Sequence, residues 1–145
     1  MKVAVIYWSD TGNTEEMAHA FVDGVHSAGA EAEVLRCVQV QETTLNEYDA
    51  FAFGCPAMGD EELEETTFEP MFSRIESGLK GRRVVLFGSY GWGDGQWMRD
   101  WEKRAEKDGA VLVTDSIIAN EYPSDEKLEE CKKAGALLAK GDSTK

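Results

Sequence analysis

The strongest constraint on this chain is a change of hydrophobic period that repeats along it. Val3-Ala-Val-Ile-Tyr-Trp8 is an unbroken β-prone apolar run of strand length, the pattern of a strand buried on both faces. From Thr14 the period becomes helical through Met17, Ala18, Phe21, Val22 and Val25, and Gly29 supplies the stop. Glu33 to Val38 reads as a weaker, edge-like strand and Asp49 to Gly54 as a buried one. A helix is predicted from Thr67 to Gly78, with Pro70 tolerated in its first turn, then a strand from Arg83 to Gly88. Gln96 to Lys107 is a helix closed by Gly109, Val111 to Ala119 a fifth strand, and Ser124 to Lys140 a helix with Ser124 as its N-cap. Five strands alternating with helices imply right-handed crossovers and an α/β, doubly wound parallel sheet with helices on both faces. Residues Gly141 to Lys145 are expected to fray.

The 145 residues suit one domain, 1–145, and no linker, repeat or low-complexity tract divides them. The net charge of -13 argues against nucleic acid and anionic membranes as partners, because both reward clustered Lys and Arg. It fits a basic protein partner, or simply a soluble acidic surface. Cys37, Cys55 and Cys131 form neither a C-x-x-C pair nor a metal-like cluster, which points to a reducing cytoplasm. The N-terminal apolar run is too short for a signal core, and no segment approaches the ~20 apolar residues of a membrane span.

Ligands of such sheets bind beyond the carboxyl ends of the strands, which directs attention to three loops. Ser9-Asp-Thr-Gly-Asn-Thr14 offers hydroxyls, an amide and a flexible glycine just before a helix N-terminus, a site for an anion held without any cation. A phosphate is the natural guest; the alternative is an ordinary capped strand-to-helix turn. The G-x-x-x-x-G-K-[ST] and G-x-G-x-x-G motifs are both absent. Gly54-Cys-Pro at the third strand end lacks the Asp that a phosphorylated receiver domain needs. Cys55-Pro-Ala-Met-Gly-Asp-Glu-Glu-Leu63 has at its centre a glycine turn able to adopt more than one geometry. Gly88-Ser-Tyr-Gly-Trp-Gly-Asp-Gly95 sets two aromatics among glycines, as a loop covering a flat ligand would. His19 and His26 lie on the first helix as structural or exposed residues, Cys55 reads as a small buried residue, and Trp8 as core.

In order and spacing these three loops resemble those of flavodoxin, the small FMN-binding electron carrier, over nearly the whole chain. The likeness is to the short-chain, clostridial branch, because the last strand carries no long insertion. The resemblance implies a five-stranded sheet of order 2-1-3-4-5. It also implies that Ser9, Asp10, Thr11, Gly12, Asn13 and Thr14 surround the FMN phosphate. Pro56, Ala57, Met58, Gly59, Asp60 and Glu61 would line one side of the isoalloxazine, and Ser89, Tyr90, Gly91, Trp92 and Gly93 the other. Met58 and Trp92 would cover the two ring faces, the Gly59 carbonyl would meet the N5 position, and Glu61 would accept from N3-H. Ser89 and Gly91 would lie close to the ring or ribityl chain. Asp10 and Pro56 depart from the family pattern, which often has Gly or Thr at the first position and, in some members, a serine at the second.

The implied function is a low-potential one-electron carrier shuttling between semiquinone and hydroquinone, with no catalytic residue and no metal. It would be a monomer that docks transiently on basic redox proteins. The alternatives are an FMN-dependent quinone-reductase-type enzyme and a flavodoxin-like activation module dedicated to one partner.

Overall fold

The computed structural model describes residues 1–145, and its sheet is built on the apolar runs. Strand β1 is Lys2–Tyr7, β2 is Glu31–Leu35, β3 is Ala50–Gly54 and β4 is Arg83–Tyr90. Helix α1 is Asn13–Ser27, α2 is Phe68–Ile75, α3 is Gln96–Lys107 and α4 is Asp125–Lys140. Two short strands, β5 at Val111–Leu112 and β6 at Ile117–Asn120, complete the sheet. All pairings are parallel, in the order β2-β1-β3-β4-β5, with β6 also on β4. The predicted order and the edge position of β2 are both observed.

Alternation along the strands sorts the core into two layers. Ala4, Ile6, Phe51, Phe53, Val84 and Leu86 turn toward α2 and α3, where Phe68, Phe72, Trp97 and Trp101 meet them. Val3, Val5, Ala52, Val85 and Phe87 turn toward α1 and α4, which contribute Met17, Phe21, Cys131 and Leu138. Phe21 and Phe87 pack with centroids 4.6 Å apart. On this side the two helices approach backbone to backbone. A Cβ on Gly135 would stand 2.3 Å from the Phe21 carbonyl oxygen, and one on Gly24 would stand 2.0 Å from that of Lys132.

The structure corrects the sequence reading at several element ends. The predicted strand Val111 to Ala119 is two strands, interrupted at Val113–Ser116. At the break the chain terminus supplies the missing partners: the Thr144 backbone N–H and the Ser143 hydroxyl donate to the Val113 carbonyl at 2.8 and 3.0 Å. The terminal residues therefore dock instead of fraying, held also by the Arg83 guanidinium on the carbonyls of Leu138 and Asp142. Strand β2 begins at Glu31, earlier than predicted, and stops at Leu35. Beyond it the carbonyls of Cys37 and Val40 are taken by the Arg74 guanidinium from α2. Helix α2 ends at Ile75 and tightens into a 3-10 turn over Glu76–Gly78. Strand β4 runs two residues past Gly88, pairing Ser89 and Tyr90 with Ala119 and Asn120. Ser124 caps α4 as predicted, its hydroxyl accepting the Lys127 N–H at 3.2 Å.

Candidate functional site

The carboxyl ends of β1, β3, β4 and β6 converge on a cleft of about 510 Å³, within the usual range for small-molecule sites. Strand order reverses beside it, since β1 is followed on its two sides by β2 and β3. Ser9, Asp10, Thr11, Asn13, Thr14, Pro56, Ala57, Met58, Ser89, Tyr90 and Gly91 line it, and no Lys or Arg does.

The first loop is arranged to donate. None of the backbone N–H groups from Ser9 to Thr14 has a hydrogen-bond partner within the chain. Gly12, at φ 95, turns the chain into α1, whose N-terminus opens on the same place. Ser9 Oγ accepts the Glu15 N–H at 3.2 Å, which leaves its own proton free for a ligand. Orphan N–H groups, free hydroxyl protons and a helix N-terminus form a donor set that fits a phosphate. Tyr7 behind the loop donates to Glu15 at 3.1 Å; burial and this acid push its hydroxyl pKa up to about 12.

The second loop is a closed hairpin. Met58 and Glu62 exchange backbone hydrogen bonds of 2.8 and 2.9 Å, leaving Gly59, Asp60 and Glu61 at the tip. Gly59 has φ 49 and Glu61 φ 58, and the Gly59 carbonyl accepts no bond within the chain. The base of the loop is fixed: Trp97 Nε1 donates to the Cys55 carbonyl at 3.1 Å. A Cβ on Gly88 would lie 2.2 Å from that same carbonyl oxygen. Cys55 is fully buried, and burial first, with Glu64 and other negative groups adding, pushes its thiol well above the ordinary range. It packs as a small core residue. Glu64 is buried too. Burial alone would raise its pKa, but bonds from Thr66, Phe68 and Thr67 at the start of α2 hold it below the ordinary value.

Gly12, Gly59, Asp60, Glu61, Trp92 and Gly93 stand outside the lining set. The Glu61 carboxylate turns to the start of α3, where it accepts the Gln96 N–H at 3.1 Å. Trp92 is 64% exposed at the rim. Two lining residues escaped the sequence reading, Glu121 and Tyr122. They follow β6, whose end at Asn120 lies one residue past the predicted strand end, so the rule of strand carboxyl ends reaches them; Glu-Tyr-Pro simply lacks the glycine that marks each of the other three loops. The Glu121 N–H donates to the Tyr90 carbonyl at 2.7 Å, which ties this fourth loop to β4. His19 and His26 are both exposed.

A family model described as Flavodoxin matches residues 5–135. The flavodoxin of Megasphaera elsdenii is 44% identical over 138 residues, covering 95% of this chain and 98% of that one. The chain belongs to the flavodoxin family. The flavodoxin of Clostridium beijerinckii is 42% identical over 135 residues, covering 93% and 97% of the two chains, which places this protein in the short-chain group. The solution structure of the two-electron reduced Megasphaera elsdenii flavodoxin superposes with a TM-score of 0.87 over 95% of this chain and 98% of that one. Flavodoxins are FMN-binding electron carriers, and the phosphate-fitting donor set described above is what such a cofactor requires.

Proposed function

We propose that residues 1–145 form one domain that acts as a carrier and not as an enzyme, with FMN held in the cleft at the strand ends. The observation that carries this reading is the run of unpartnered N–H groups from Ser9 to Thr14 at the head of α1. FMN supplies the capacity to take and release electrons one at a time. The protein's residues supply the rest. Ser9, Asp10, Thr11, Gly12, Asn13 and Thr14 surround the phosphate. Asp10 is exposed, so water screens its carboxylate from that dianion. Pro56 lacks both a hydroxyl and an N–H, so the phosphate relies on the first loop.

Met58, Ala57 and Tyr90 give the cleft apolar lining, beside Ser89 and Gly91. Trp92 and Gly93, at the rim, form a cover over the ring, and Gly59, Asp60 and Glu61 present a carbonyl and acids to its edge. With no cation lining the cleft, added negative charge is disfavoured. An acid ~10 Å away costs about 1.7 kcal/mol at an effective dielectric of ~20, before salt screening. Asp60, Glu61, Glu62 and Glu121 thus act to keep the potential low. The same acids suit transient docking of a monomer on basic redox proteins in the cytoplasm.

An anaerobic reductive titration tests the carrier reading. The purified yellow protein is expected to pass through a radical stage and to pass electrons from an added reductase to an acceptor protein. Steady oxidation of NADH or NADPH by quinone with no reductase added would make it an enzyme instead.

A further inference from the structure

The side-chain hydroxyls of Thr14 and Ser89 meet 2.9 Å apart, joining the first turn of α1 to the far end of β4. Thr14 is 1% exposed and Ser89 5%, so water cannot easily replace either partner. The Ser89 backbone N–H also donates to Thr14 Oγ1, at 3.4 Å. That contact has one direction only, because an amide N–H cannot accept. Thr14 Oγ1 is therefore an acceptor already, and the single proton shared between the hydroxyls decides what Thr14 does next.

Two arrangements exist. If Thr14 donates to Ser89, its only proton is spent inside the protein and it offers the cleft nothing but lone pairs. If Ser89 donates to Thr14, the threonine oxygen accepts twice from one residue and its own proton turns outward. An anion selects the second arrangement, since it is a pure acceptor. Ser9 shows the same polarity, accepting an N–H from behind so that its proton faces forward. The geometry points to Ser89 as a positioning residue that aims the Thr14 hydroxyl proton at the flavin phosphate. This differs from a direct ribityl or ring contact, and it rests on reading the cleft as the FMN site. The Ser89 carbonyl also accepts the Ala57 N–H at 3.0 Å, so the residue that orients the phosphate donor pins the second loop as well.

The test compares FMN with riboflavin, which lacks the phosphate, binding to apoprotein in phosphate-free buffer and followed by flavin fluorescence quenching. Wild-type protein that bound FMN no tighter than riboflavin would overturn the cleft reading itself. With that preference in hand, Ser89→Ala is expected to raise the FMN Kd about tenfold, the scale of one charge-assisted hydrogen bond partly lost, with little change for riboflavin. Ser89→Thr, which keeps the hydroxyl, should stay near wild type. Inorganic phosphate binding to the apoprotein should weaken in parallel with FMN binding. Because Ser89 acts through Thr14, adding Ser89→Ala to Thr14→Val should cost FMN affinity no further. Equal losses for FMN and riboflavin in Ser89→Ala, or additive losses in the double variant, would overturn the assignment.

Discussion

The Glu61 carboxylate accepts the Gln96 backbone N–H at 3.1 Å, so an acid from the second cleft loop caps the helix that follows the third. Gln96 is the first residue of α3, and Gly95 before it has no side chain to cap with. Glu61→Ala should therefore destabilise the apoprotein by about 1 kcal/mol through the lost cap and its charge at the helix N-terminus. For a chain of this length that is a fall in Tm of about 3 °C. Glu61→Gln keeps an acceptor oxygen and should lose less. Thermal unfolding of the apoproteins checks it; an unchanged Tm in the alanine variant would mean that Glu61 serves the ligand alone.

Gly24 and Gly135 let α1 and α4 touch through their backbones. Gly135→Ala would drive its Cβ into the Phe21 carbonyl, an atom that cannot swing aside. Helix propensity alone would favour alanine by roughly 1 kcal/mol. The clash should win, with a net loss of about 1–3 kcal/mol in urea unfolding, typical of an overpacked core. Once α4 has been pushed off, Gly24→Ala should cost less than it does alone, because both changes relieve at the same crossing. Additive losses in the double variant would show that each glycine is felt independently.

The buried strands and the loops at their ends were legible because their signals are local. Val3 to Ile6 needs only its own apolar run, and the helical period from Met17 to Val25 needs only itself. The break after Leu112 was not legible, since Val-Leu-Val-Thr-Asp-Ser-Ile-Ile-Ala reads as one β-prone run. What divides it is Ser143 and Thr144, some thirty residues on, capturing the Val113 carbonyl. Glu121 and Tyr122 were missed for a different reason: they follow a strand end that was placed to within one residue, but their loop carries no glycine to draw attention to it. Glu61 shows a further kind of limit. Its place in the loop was readable, but its bond to Gln96 depends on how two loops pack, and no spacing encodes that.

Asp108, at the end of α3, gives a pH-dependent prediction. Its Oδ2 is buried without a partner; burial first, then the neighbouring Glu76 carboxylate, raise its pKa from 3.8 to about 6. The folded state thus holds this proton more tightly than the unfolded chain does. Stability from this group is fully present below about pH 4 and is lost as pH rises through 6. Asp108→Asn keeps a donor toward Glu76 at every pH. Its Tm should match wild type near pH 4 and exceed it by a few degrees above pH 7. A difference that does not vary with pH would show that Asp108 does not titrate in this window.

Gly59 stands at φ 49 at the hairpin tip, and a Cβ there would meet nothing within 4 Å. Any effect of Gly59→Val must therefore come from backbone conformation and not from a clash. A β-branched residue is disfavoured in the left-handed region by roughly 1–2 kcal/mol, so the tip should abandon the conformations that let its free carbonyl turn to the ligand. The phosphate loop is separate, and FMN affinity should change little. A lost hydrogen bond of about 1 kcal/mol corresponds to roughly 40 mV for one electron. The first one-electron potential should fall by about that much, and the maximum radical absorbance in an anaerobic titration with it. An unchanged first potential in a variant that still binds FMN would remove Gly59 from the control of electron transfer.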